Sequence, residues 1–132
     1  MRTLRLPYSD AEQVYKRMVF NVVARNQDDH TKNFSFLMDN SGKWSLAPAY
    51  DVAYSYNPQG DFTSLHQMSI NGKRDHFTKE DLLKIAQSMN IKKASEILEE
   101  VISAVSQWHK IAKECGVAEN QIKSIAATHR LI

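Results

Sequence analysis

Ala11, Val14, Tyr15, Met18, Val19, Val22 and Val23 recur at steps of three and four residues. That spacing buries one stripe of a helix, and the stripe stops near Arg25. A second stripe runs through Ile97, Leu98, Val101, Ile102, Val105, Trp108, Ile111 and Ala112, ending at Gly116. Two such stripes commit the chain to a helix-dominated unit. Ser9 and Glu12 have the S-x-x-E spacing of a capping box at the start of the first helix. Thr78 is placed to cap a helix through Met89, with Glu80 and Asp81 in the first turn where the helix dipole favours negative charge. Ile122, Ile125 and Ala126 mark a last amphipathic segment.

Between the stripes the helical period is lost. Phe34–Met38 and Lys43–Ala47 read as strands, and Asp39-Asn40-Ser41-Gly42 has the composition of a hairpin turn. Pro48 ends the second strand. Gln67–Ile70 is a candidate short strand closed by Asn71-Gly72, and Asn57-Pro58-Gln59-Gly60 is a loop tip. The expected fold is mainly α with a small antiparallel β insert, in one compact unit over residues 1–132.

Bulk properties narrow the function. At 132 residues the chain suits a single modest core. A net charge of +2 is too small to argue for nucleic acid or an anionic membrane. No apolar run approaches the ~20 residues that span a bilayer, and MRTLRLPYSD lacks the apolar core of a secretory signal. Cys115 is the only cysteine, which removes internal disulfides and cysteine-based zinc sites and suits a reduced, cytoplasmic setting.

The polar stretch Asp28-Asp29-His30-Thr31-Lys32-Asn33 opens between the first helix and the hairpin. Protein kinases place a proton-accepting carboxylate and a magnesium-binding amide as D-x-x-x-x-N, and a second magnesium-binding carboxylate follows a hairpin. Asp28 and Asn33 have that spacing, and Asp51 follows the hairpin. With eight Asp and eight Asn, about half a match to the spacing alone arises by chance, so the surrounding helix and hairpin carry the argument. Oxygen donors without thiolates favour a hard ion such as Mg²⁺.

NQDDHTKNFSFLM followed by WSLAPAYDV resembles the C-terminal catalytic core of the HipA-type serine/threonine kinase toxins. HQMSINGK, the helix from Thr78 and the tryptophan-bearing helix are also similar to that family's C-terminal half, so the likeness covers most of the chain. The resemblance implies that Asp28 is the catalytic base and that Asn33 and Asp51 ligate Mg²⁺. It also implies that His30, Thr31, Lys32 and Tyr50 lie beside the phosphates of ATP. It further implies a protein substrate such as an aminoacyl-tRNA synthetase and a helix-turn-helix antitoxin as partner. His30 stands two positions after the base, where ordinary protein kinases commonly carry a lysine; this agrees with the toxin-like pattern.

Each residue also has a plainer role. Asp28 and Asp29 could cap the loop, and Asp29 could replace Asp28 as the base. His30 could hydrogen-bond a carbonyl, Lys32 could be a solvated charge and Asp51 a turn former. The stripe through Trp108 reads as core, Cys115 as inert, and His66, His76, His109 and His129 have no metal-ligand spacing. With glycines only at 42, 60, 72 and 116, no Gly-rich phosphate loop can form. The expectation is therefore a C-terminal lobe without the N-terminal lobe that holds most of the nucleotide, inactive alone. The alternative is a non-catalytic interaction module of the same ancestry. A metal-dependent phosphodiesterase is the weaker third reading, lacking a second histidine-rich motif.

Overall fold

The computed structural model describes residues 3–132; Met1 and Arg2, the start of the segment read as lacking a secretory signal, lie outside them. In chain order the elements are α1 (Tyr8–Val23), a single 3-10 turn (Thr31–Asn33), β1 (Phe36–Met38), β2 (Trp44–Leu46), α2 (Lys79–Ser88), α3 (Ala94–Ser106), α4 (Trp108–Glu114) and α5 (Glu119–Ala126). The fold is mainly α with one two-stranded antiparallel sheet. No helix is long and apolar enough to cross a membrane.

The two stripes meet as their periodicity requires. Tyr15, Val19, Val22 and Val23 of α1 pack in one core with Ile97, Leu98, Val101 and Val105 of α3. Leu82 and Ala86 of α2, with Ile70, Phe77 and Ile91 from the connecting segments, complete it. Tyr15 is fully buried; its hydroxyl donates to the Leu82 carbonyl at 3.3 Å, and burial raises its pKa.

Four local expectations need correction. The Ser9–Glu12 capping box does not form: α1 begins at Tyr8 behind Pro7, so Ser9 already lies inside the helix and no side chain caps it. Asp10, in that first turn, instead accepts the Leu46 N–H at 2.8 Å and ties the sheet to α1. The second stripe is two helices, because Gln107 (ψ 1°) leaves helical geometry between α3 and α4. Beyond this break Trp108 turns onto α5, its indole N–H donating to the Ile122 carbonyl at 3.0 Å. Trp108 is consequently only half-buried and Ile111 is 48% exposed, so of the end of the stripe only Ala112 is buried.

Gln67–Ile70 forms no strand among the described residues. Asn71 (φ 50°) and Gly72 (φ 78°) make a tight turn closed by paired hydrogen bonds between Ile70 and Lys73, the left-handed pair expected of a two-residue turn. The strands of the hairpin are also shorter than expected, in the register Phe36 to Leu46, Leu37 to Ser45 and Met38 to Trp44. Their turn forms as its composition dictates. One Asp39 carboxylate oxygen accepts from the Ser41 hydroxyl and from the N–H groups of Ser41 and Lys43, which lowers the Asp39 pKa.

The Thr78 cap forms fully. Its hydroxyl accepts the Asp81 N–H, and the Asp81 carboxylate accepts the Thr78 N–H at 2.9 Å. Lys73 and Asn71 also donate to Asp81, at 2.7 and 2.8 Å. The Lys73 ammonium first, then the Asn71 amide and the Thr78 N–H, hold this carboxyl far below the usual carboxylate range. Stability from a depressed carboxyl is complete above its unfolded pKa of ~3.9 and is lost as pH falls toward the folded value. Thr78→Ala should cost about 1 kcal/mol. The Tm gap between the wild type and Asp81→Asn should be flat from pH 7 to about 5 and narrow below about pH 4. Thermal melts across that range check both.

Candidate functional site

The loop after α1 is built from its backbone outward. Arg25 is left-handed (φ 59°) and turns the chain out of the helix. Residues 25–27 then pair with Ser55: Ser55 N–H donates to the Arg25 carbonyl and Gln27 N–H to the Ser55 carbonyl. This fastens the start of the polar loop to the segment just beyond Asp51. The 3-10 turn follows, with Asn33 N–H donating to the His30 carbonyl at 3.0 Å. Tyr50 closes the other side, its hydroxyl donating to the Lys32 carbonyl at 2.7 Å.

Asn33 and Asp51 thereby line one small cleft with Tyr50, Asn26, Asn21 and Arg17. The Asn33 amide nitrogen donates to the Asp28 backbone carbonyl at 3.0 Å. A carbonyl can only accept, so this bond fixes the amide orientation and leaves Asn33 Oδ1 available as an oxygen donor for a cation. Asp51 is exposed and left-handed (φ 54°), a conformation that costs a non-glycine residue ~1 kcal/mol. Its carbonyl faces the Asn26 amide nitrogen, which donates chiefly to Asn21 Oδ1 at 3.1 Å.

Asp28 does not line the cleft interior. Its side chain is 45% exposed, and one carboxylate oxygen lies 3.7 Å from His30 Nε2. His30 keeps a buried Nδ1 without a partner. Thr31 and Lys32 are exposed at the turn.

The two acidic neighbours are in opposite environments. Asp29 is 4% exposed and both its oxygens are engaged. Oδ1 accepts the N–H groups of Gln67 and Met68 at 2.7 and 3.3 Å, and Oδ2 faces His66 Nδ1 at 2.8 Å. This explains why Gln67–Ile70 is not a strand: its first two N–H groups are spent on a carboxylate and that of Ile70 on the turn to Lys73.

His66, for which the sequence offered no partner, is fully buried. Its Nε2 is 3.2 Å from Arg130 Nη1. Arginine has donors only, so Nε2 accepts and the ring proton sits on Nδ1, donated to Asp29. Arg130 continues to Asp75, which also lies 3.8 Å from Arg25, and Arg25 stacks over Tyr56 at 4.4 Å. Burial first, then Arg25, pushes the Arg130 guanidinium down to about 10, still charged at neutral pH. A buried polar chain therefore joins the loop to the C-terminal segment. No pairwise spacing in the sequence signals it.

A family model for the HipA-like C-terminal domain matches residues 1–128. The chain belongs to that family. A comparison with curated proteins returns no match. In this HipA-like domain the loop, the hairpin and Asp51 occupy one face, and Asp29, His66 and Arg130 support that face from within. Among the described residues no group of three or more His, Cys, Asp or Glu could hold a metal ion. With the Asp29 carboxylate of the cleft already engaged, the donors left, the Asn33 amide oxygen and the exposed Asp51, fit an ion that keeps much of its water shell and takes the rest of its ligands from phosphate, as Mg²⁺ does.

Proposed function

We propose that this HipA-like domain is the magnesium-holding, proton-accepting half of a serine/threonine protein kinase. One observation carries the reading: Asn33 and Asp51, separated by a whole hairpin, line a common cleft with the amide oxygen free. In this reading Asn33 and Asp51 hold Mg²⁺, which when bound neutralises phosphate charge on ATP. Asp28, outside the cleft and unburdened by hydrogen bonds to its carboxylate, accepts the proton of a protein hydroxyl. Tyr50 fixes the loop against the Asp51 segment, and His30, Thr31 and Lys32 face the phosphates. The Gly-rich loop and strand lysine must come from another segment or chain. Exposed Leu37 and Met38 on β1, and a groove of about 510 Å³ between α1, α3 and Pro48–Val52, offer apolar surface for that complementary lobe. A helix-turn-helix antitoxin and an aminoacyl-tRNA synthetase substrate belong to the same proposal.

Calorimetric titration of Mg-ATP tests it. With two protein ligands for an ion that surrenders water reluctantly, this chain alone should bind at millimolar Kd or weaker, about 4 kcal/mol. Adding the complementary lobe should tighten binding, and Asp51→Ala should weaken it again. Mn²⁺ relaxation of water protons reports the ion directly. Micromolar binding by the lone chain through Asp51 means the site is whole. A reconstituted pair indifferent to Asp51→Ala means the domain is a non-catalytic interaction module.

A further inference from the structure

We propose that Arg17 is the anion contact of this site, its guanidinium receiving a phosphate oxygen beside Asn33 and Asp51. The assignment of that anion to a nucleotide rests on the kinase reading; the contact itself does not.

Arg17 and Asn21 stand four residues apart on α1, so they share a face, and both line the cleft that holds Asn33 and Asp51. Arg17 Nη2 donates to the Ala47 carbonyl at 2.7 Å, in the run that leads from β2 to Asp51. Nη1 is buried and has no hydrogen-bond partner among the described residues. The guanidinium forms no ion pair among the described residues.

A buried, unused donor on a permanently charged group is costly to keep, and an acceptor of opposite charge offsets that cost best. The carboxylates of the cleft do not supply one. Asp29 has both oxygens engaged, and Asp51 is exposed and does not pair with Arg17. The remaining lining groups, Asn21, Asn26, Asn33 and Tyr50, are neutral. What the cleft lacks is an anion. The planar guanidinium fork suits phosphate, whose oxygens accept parallel N–H donors. Because one arm of the fork already holds the Ala47 carbonyl, an anion on the other arm is linked to the segment that presents Asp51.

This contact needs no metal, which separates it experimentally from Asn33 and Asp51. The probe is tripolyphosphate with a chelator present, followed through the Arg17 Nε–Hε signal of the ¹⁵N-labelled chain. The signal should shift and saturate. Arg17→Lys should weaken binding roughly ten-fold by losing the fork, and Arg17→Gln should abolish it. Asp51→Ala should leave it unchanged or tighten it by removing a nearby negative charge. Should the Gln variant fail to fold in a thermal melt, the wild-type signal and the Lys variant decide.

An unmoved Arg17 signal, or an equal response to sulfate at matched ionic strength, overturns the proposal. If Mg-ATP still binds through Asp51 while Arg17 stays silent, the kinase reading survives without this contact. If Arg17 takes tripolyphosphate while Mg-ATP ignores Asp51→Ala, the anion contact stands and the kinase reading falls.

Discussion

Asp28→Asn is expected to lower phosphoryl transfer by roughly 10²–10⁴-fold, the usual worth of a general base, in an assembly where this HipA-like domain meets a lobe carrying the Gly-rich loop and strand lysine. The substitution keeps size and shape while removing the proton acceptor. Asp28 is 45% exposed, and Asn33 bonds its backbone carbonyl rather than its carboxylate, so no packing or loop geometry depends on the charge. Stability should therefore move by less than about 0.5 kcal/mol. The purified chain alone should transfer no measurable phosphate, since the groups that position the nucleotide are missing and positioning is most of the catalysis. Labelled-phosphate transfer to a protein substrate, with a melt of each variant, measures both. An Asp28→Asn assembly that keeps half its rate puts the base elsewhere.

Asp29→Asn, one position on, should do the reverse: destabilise by roughly 3 kcal/mol, lowering Tm by some 10 °C. An amide oxygen can still accept from Gln67 and Met68 N–H. The amide nitrogen then faces the protonated Nδ1 of His66, donor against donor. Moving the ring proton to Nε2 only transfers the conflict to Arg130. Asp29→Ala removes all three bonds and should cost at least as much. Denaturant unfolding of the two variants beside Asp28→Asn would separate the acidic neighbours cleanly. Equal stability of Asp28→Asn and Asp29→Asn would show that the buried chain through His66 does not hold the loop.

Much of this molecule was legible from residues that lie within a turn of one another. The α1 stripe, the Thr78 cap, the Asp39 turn and the Asn71-Gly72 turn each form where local chemistry puts them. The helix, hairpin and following Asp51 also marked the face on which the cleft lies. The failures share one cause. The apolar spacing runs through Gln107 without a gap, so the sequence did not show the break there, beyond which Trp108 reaches Ile122 across 14 residues. Ser9 matched the capping pattern, yet the helix begins at Tyr8, two residues earlier than a Ser9 cap requires.

The same division runs through the site. The spacing to Asn33 favoured Asp28 over Asp29 without showing what Asp29 does; burial separates them, and burial depends on His66, 37 residues from Asp29, and on Arg130, 64 residues from His66. Arg17 carries no motif in the sequence; the Ala47 carbonyl at one amino group and burial of the other set it apart. Periodicity and turn chemistry are short-range, so helical segments, the place of the hairpin turn and the residues that crowd its ends follow from neighbours in the chain. Which carboxylate is buried, which amide oxygen is free and which guanidinium has an unused donor are set by contacts between distant segments, which no local pattern encodes.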